Sequence, residues 1–152
     1  MPRSPLPSPP DPSSESSPRR SPEHRPGARP AFRLPKDALG ARGEEVAADY
    51  LRRHGHEVVD RNWRAPHGRG ELDLVTLDEG RVVVVEVKTR SSLEFGHPFE
   101  AIGPAKLERL HRLGAQWCAA HGLAGRLHRV DAVAVLLPRG GPAVIEHLEG
   151  VR

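Results

Sequence analysis

The chain has 152 residues, a formal net charge of +3 and a single cysteine, Cys118. That length suffices for one domain with a real core. The lone cysteine excludes an internal disulfide and a multi-cysteine zinc cluster, and a reducing cytoplasm is its natural compartment. No stretch approaches the roughly 20 apolar residues of a membrane helix, so no membrane partner is expected.

Residues 1–35 differ in kind from the rest. Eleven of the 16 prolines lie there, among serines and arginines. Such a composition buries too little apolar surface to offset its ordering entropy, and the segment reads as a disordered tail. It lacks the apolar centre of a secretory signal. It is Arg- and Ser-rich like a transit peptide, but its prolines oppose the amphipathic helix such peptides need. Arg3, Arg19, Arg20, Arg25, Arg29 and Arg33 face only Asp11, Glu15 and Glu23, so the tail accounts for the whole net charge. The remaining 36–152, read as a single domain, carries 17 basic and 17 acidic residues. Any grip on phosphates must then come from local placement or from a bound metal.

The domain begins with a helix from about Asp37, a plain N-cap, to His54, with Gly55 as its stop. At helical spacing Val46, Ala47, Tyr50 and Leu51 form its inner stripe. Glu44 lies at the edge of that stripe and Glu45 points away. A short strand near Glu57–Val59 precedes a loop from Arg61 to Gly70. Two strands follow, 71–77 and 82–88, joined by the turn Asp78-Glu79-Gly80-Arg81. A loop from Thr89 to Ile102 leads to a second helix, with Pro104 at its first turn and Gly122 after its end. Leu107, Leu110, Leu113 and Trp117 recur there at helical spacing. A strand over about 130–137 and a weak edge strand over 143–147 close the chain. The order α-β-β-β-α-β, with an extra strand, predicts a small α/β sandwich around a mixed sheet.

The paired strands carry the chemistry. Strand side chains alternate between faces, so Glu71 and Asp73 share one face of the first strand and Glu86 and Lys88 share one face of the second. Val82 to Val85 is apolar on both faces, as in a strand covered on both sides. Ionised groups in such a setting are costly unless paired or metal-bound. If Glu79-Gly80 forms a two-residue loop, Asp73 faces Glu86 and Glu71 faces Lys88, with Cβ atoms about 4.5–5.5 Å apart. A bulged type I turn would instead oppose Asp73 to Val85 and split the acids between faces. The first register gathers four costly groups into one site and is the one expected here. Asp73 and Glu86 would then hold Mg²⁺ or Mn²⁺, with the Val87 carbonyl as a further ligand, because hard oxygen donors suit these ions. Lys88 would polarise the attacking water, and Glu44 would complete the shell from the first helix. This is the composition of a catalytic site that hydrolyses phosphodiesters.

The segments Gly40-x-x-Gly43-Glu44-x-x-Ala47-x-x-Tyr50-Leu51, Asn62-x-Arg64, Gly70-Glu71-x-Asp73-Leu74, Val85-Glu86-Val87-Lys88-x-Arg90, Lys106 and Arg129-Val130-Asp131 recur in an order that resembles the YraN family of uncharacterised bacterial proteins. The resemblance covers about 40–136. That family is similar in fold to restriction endonucleases and archaeal Holliday-junction resolvases, marked by an Asp, then Glu-x-Lys, often with a helical Glu. Glu44, Asp73, Glu86 and Lys88 match those positions. The resemblance implies a restriction-endonuclease-like three-layer sandwich and an endonuclease of structured or branched DNA.

Plain readings stand beside these. Glu86-x-Lys88 by itself is common on solvated strands, and Glu44 could be a helix-surface acid. Glu71 is read as a ligand or as a partner of Lys88. Arg61, Arg64, Arg69, Arg90 and Lys106 are candidate phosphate contacts or ordinary surface cations. Trp63 would stack on a base or cap the core. Asp131 would pair with a nearby arginine. The histidines show no ligand spacing, which argues against zinc. Two other functions fit the same residues: a non-catalytic nucleic-acid-binding module and a protein-interaction adaptor. A neutral domain of this size would grip a branched duplex better as a homodimer.

Overall fold

A computed structural model describes residues 36–66, 70–92, 94 and 96–152. The tail 1–35 and Arg69 therefore lie outside the described residues. Helix α1 spans Lys36–Arg53, and strands β1, β2 and β3 span Glu57–Arg64, Glu71–Asp78 and Arg81–Arg90. A 3₁₀ turn over Pro98–Ala101 precedes helix α2, Pro104–Ala120, and strands β4, His128–Leu136, and β5, Val144–Leu148. The sheet runs β1-β2-β3-β4-β5. Among the described strands, only β3 and β4 pair in parallel. The expected α/β class, mixed sheet and element order are those observed.

Two apolar clusters sort the layers. Val82 and Val84 of β3 pack with Leu110, Leu113, Trp117 and Cys118 of α2. Val83, Val85 and Val87 pack with Ala47, Ala48 and Leu51 of α1. The unbroken valine run is thus a strand covered on both faces, one by each helix. Burying each of these valines contributes about 1.5–3 kcal/mol. No helix among the described residues is long and apolar enough to cross a membrane.

Leu74 pairs with Val85, Val75 with Val84, Leu77 with Val82 and Asp78 with Arg81. The hairpin therefore turns on Glu79 and Gly80 alone, at φ 47° and 78°. A two-residue turn of this kind needs both residues at positive φ. For Glu79 that costs about 1–2 kcal/mol. Slipping the register by one residue would carry each strand's apolar side chains to the wrong face, a far larger loss. Packing decides against the local preference of Glu79.

Strand β1 is longer than the short strand expected. Arg61, Trp63 and Arg64, read as loop, pair with Leu74, Leu72 and Glu71. Trp63 packs on the α2 side of the core, as does Leu72, whereas Leu74 belongs to the α1 side. Residues two apart on a strand should share a face. The pleat of β2 is therefore broken at Asp73, and on the neighbouring strand Asn62 stands at φ 52°.

Candidate functional site

Asp73 sits where β2 and β3 part. The recorded pairing of these strands ends at Leu74 and Val85. Beyond it the Val87 N–H donates to Asp73 Oδ2 at 2.8 Å. A side-chain carboxylate thus takes over from the backbone ladder. Burial pushes the Asp73 carboxyl up to about 7, and the Glu86 charge, then that of Glu44, push the same way against the Val87 N–H and Lys106. The balance reflects desolvation plus a like charge, the usual means of raising a carboxyl.

Glu86 is 2% exposed. Its Oε1 receives two ammonium groups, Lys88 Nζ at 2.8 Å and Lys106 Nζ at 2.9 Å. Its Oε2 is buried and has no hydrogen-bond partner among the described residues. Lys88 comes from the same strand, whereas Lys106 comes from the first turn of α2. The first turn of that helix contains no acid, and Gly103 at the N-cap gives no side-chain hydrogen bond. A lysine there opposes the helix dipole. Its contact with Glu86 offsets that cost.

Glu44 projects from α1, which approaches β3 closely because Gly43 has no side chain. A Cβ on Gly43 would overlap the Thr89 side chain. Glu44 is half-buried and Glu45 exposed, as their helical positions predict. Glu45 instead ties α1 to β1 through Arg61 at 2.9 Å.

These residues can be tested against a divalent cation. Hard carboxylate oxygens from Asp73 and Glu86 suit Mg²⁺ or Mn²⁺. The orphaned Glu86 Oε2 supplies an acceptor that wants a cation, and Asp73 is an acid made uncomfortable by its neighbour. Among the described residues no three His, Cys, Asp or Glu side chains form a metal-ligand group. Glu44 therefore acts on Asp73 through charge rather than as a third close ligand. Two carboxylates with the rest of the shell left to water and phosphate is a usual Mg²⁺ arrangement. The residues fit such an ion.

The other candidates scatter. Arg64 is bound to Glu71 at 3.0 Å with its side chain 79% exposed. Glu71 is thus partnered by Arg64, not by Lys88 as expected from the hairpin alone. With Ala65 and Gly70 the two line a surface pocket. Arg90 ends β3, its Nε buried without a hydrogen-bond partner among the described residues. Trp63 packs against the core.

Sequence reasoning placed Lys106 among phosphate contacts and missed its bond to Glu86. The signal was available: a lysine in a helix's first turn is charged against the dipole and wants a reason. A second buried network, around Asp131, was only partly foreseen. Asp131 accepts two bonds from Arg129, both 2.8 Å, and one from the Gly150 N–H at 2.9 Å, with His147 Nε2 also at 2.9 Å. It pairs with Val85 of β3, next to Glu86 but facing the opposite side of the sheet, and it holds the C-terminal segment to β4.

The profile of the uncharacterised protein family UPF0102 matches residues 43–135. A UPF0102 protein of Arthrobacter sp. (strain FB24) is 56% identical over 116 residues, 76% of this chain and 97% of that protein. One from Beutenbergia cavernae is 58% identical over 116 residues, with the same shares covered. One from Nocardioides sp. is 46% identical over 116 residues, 76% of this chain and 92% of its own.

Proposed function

We propose that this chain, which belongs to the UPF0102 family, is a metal-dependent endonuclease acting on structured or branched DNA. The observation that carries the reading is the Glu86 charge acting on buried Asp73, with two lysines on Glu86 Oε1 and its Oε2 left without a partner among the described residues. Two repelling acids and an orphaned acceptor are expensive in a stable fold. A function that needs them accounts for their presence.

In this reading Asp73, Glu86 and the Val87 carbonyl would hold Mg²⁺ or Mn²⁺, and Glu44 would add negative charge. The bound ion supplies Lewis-acid activation of the phosphodiester and of a water nucleophile. The Val87 N–H holds the Asp73 carboxylate in one orientation. Lys88 orients the attacking water and balances charge developing on the phosphate. Arg64, Arg69 and Arg90 are the cations assigned to the DNA backbone. Since residues 36–152 are neutral overall, binding should rest on these few contacts, on the metal and on the basic tail. A second copy of the chain would double them.

One observation favours a second reading. No third acid joins Asp73 and Glu86 in a ligand group among the described residues, as expected of a non-catalytic nucleic-acid-binding module. A cleavage assay on branched, flapped, duplex and single-stranded DNA with Mg²⁺ or Mn²⁺ separates the two. Cleavage of a branched substrate, lost in Glu86→Gln, supports the endonuclease. Binding without cleavage supports the module. Neither binding nor cleavage leaves a protein-interaction adaptor.

A further inference from the structure

We propose that Lys106 is an exchangeable cation: it holds Glu86 until a divalent metal arrives, then passes to a phosphate, so that metal and DNA bind cooperatively. The inference rests on the metal-site reading above and assigns a positioning and coupling role that the reading does not contain.

Two ammonium groups at 2.8 and 2.9 Å on one oxygen are stable only around an anion. A divalent ion on Glu86 would place two positive charges beside them. At such distances around a buried carboxylate, charge repulsion is strong. At least one lysine must leave. Lys88 is anchored on β3, two residues from Glu86 and on the same strand. Lys106 belongs to another element, and Glu86 is its recorded salt-bridge partner. Its side chain is 22% exposed, so its flexible stem already opens toward water. Once released it has no acid in its own helical turn to receive it. An anion from solution is the natural partner, and a phosphate is the anion that the proposed substrate brings to this place.

The consequence is thermodynamic. If metal frees Lys106 for phosphate, phosphate that captures Lys106 must equally favour metal. A protein without the lysine at 106 loses that linkage. It also loses a competitor for Glu86, so its metal affinity in the absence of DNA rises.

The test uses the full chain with Lys106→Gln and Lys106→Arg. Lys88 still neutralises Glu86 in both, which favours folding, and far-UV circular dichroism checks it. Calorimetric titration with Mn²⁺ alone should show three- to tenfold tighter binding for Lys106→Gln than for wild type. Fluorescence anisotropy with a labelled four-way DNA junction is then read in EDTA and in Ca²⁺. Wild type should bind at least fivefold tighter in Ca²⁺, Lys106→Gln less than twofold, and Lys106→Arg close to wild type. If Lys106→Gln does not fold, Lys106→Arg still decides, since loss of its Ca²⁺ effect overturns the proposal. Mn²⁺ binding by Lys106→Gln no tighter than wild type, or an unchanged Ca²⁺ effect, overturns this proposal alone. Absence of Mn²⁺ binding by wild type overturns the metal reading and this one together.

Discussion

Asp73 Oδ2 accepts the Val87 backbone N–H at 2.8 Å, so a side chain of β2 closes the ladder of β3 beside the Glu86 carboxylate. The bond fixes Asp73 against an acid that repels it. Asp73→Asn keeps an oxygen for Val87 and removes one of the two charges. In chelator this variant should be as stable as wild type or more so, by about 1 kcal/mol or roughly 4 °C in Tm. Thermal melts in EDTA check it. A fall of several degrees would mean that the charge of Asp73 supports the fold.

Glu86 and Lys88 should fail differently. Glu86→Gln removes a charged ligand, so Mn²⁺ affinity and cleavage fall together. Lys88→Ala removes a cation beside the metal, so affinity holds or rises while cleavage at saturating metal drops roughly 100-fold. Calorimetry alongside single-turnover cleavage separates the two. Lys88→Ala cutting at the wild-type rate would withdraw its assigned role.

The Asp131 network should be structural. Asp131 is fully buried, and its partners Arg129 and His147 are themselves largely buried. Asp131→Ala strands them and should cost about 3–5 kcal/mol. Urea denaturation followed by the fluorescence of Trp63 and Trp117 measures it. Mn²⁺ affinity of the folded fraction should not change, because Asp131 faces the opposite side of the sheet from Glu86. A loss of less than 1 kcal/mol would show that Asp131 does not hold the C-terminal segment.

With Asp73 replaced by Asn, acid should destabilise the protein in two stages. Burial chiefly holds His56 and His128 below the usual histidine value. The folded forms prefer neutral rings, so this stability is complete above the unfolded value of about 6.5 and is lost as pH falls toward the folded ones. Burial pushes Asp131 up, but bonds from His147, Arg129 and the Gly150 N–H outweigh it and hold the carboxyl below its ordinary value. That contribution is complete above about 3.9 and is lost as pH falls through the lower folded value. Urea midpoints of Asp73→Asn, which lacks the opposing gain from protonating the raised Asp73 carboxyl, should therefore fall from pH 8 to 3.5 first below about 6.5 and again below about 4. His56→Asn should shrink the first stage and spare the second. A midpoint flat from pH 7 to 5 would contradict the account.

The parts of the fold legible in the sequence are those that packing dictates. The helix stripes and the hairpin register follow from where Leu110, Leu113, Val75 and Val84 must go, and packing overrode the poor fit of Glu79 to its turn. Strand β1 was read short because an edge strand needs only one covered face, leaving Arg61, Asn62 and Arg64 with the polar composition of a loop. The break in pleat at Asp73 had no local signature. Charge partners joined by tertiary packing were hidden for the same reason. Arg64 takes Glu71 from the neighbouring strand, and Lys106 reaches Glu86 from another layer. Arg129 gathers, besides the nearby Asp131, Asp78 and Glu149 from distant places in the chain. Hairpin register alone could not show that Asp73 would take the Val87 N–H where the ladder ends, nor which cations would answer Glu86.

The central claim is that Asp73 and Glu86 together make a divalent-cation site. Calorimetric titration of Mn²⁺ into the full chain and into Asp73→Asn tests it most directly. The account predicts one ion bound per chain in the wild type and at least a tenfold weaker affinity in Asp73→Asn, with both proteins folded. Equal affinity in the two, or no binding by the wild type at millimolar Mn²⁺, would contradict it.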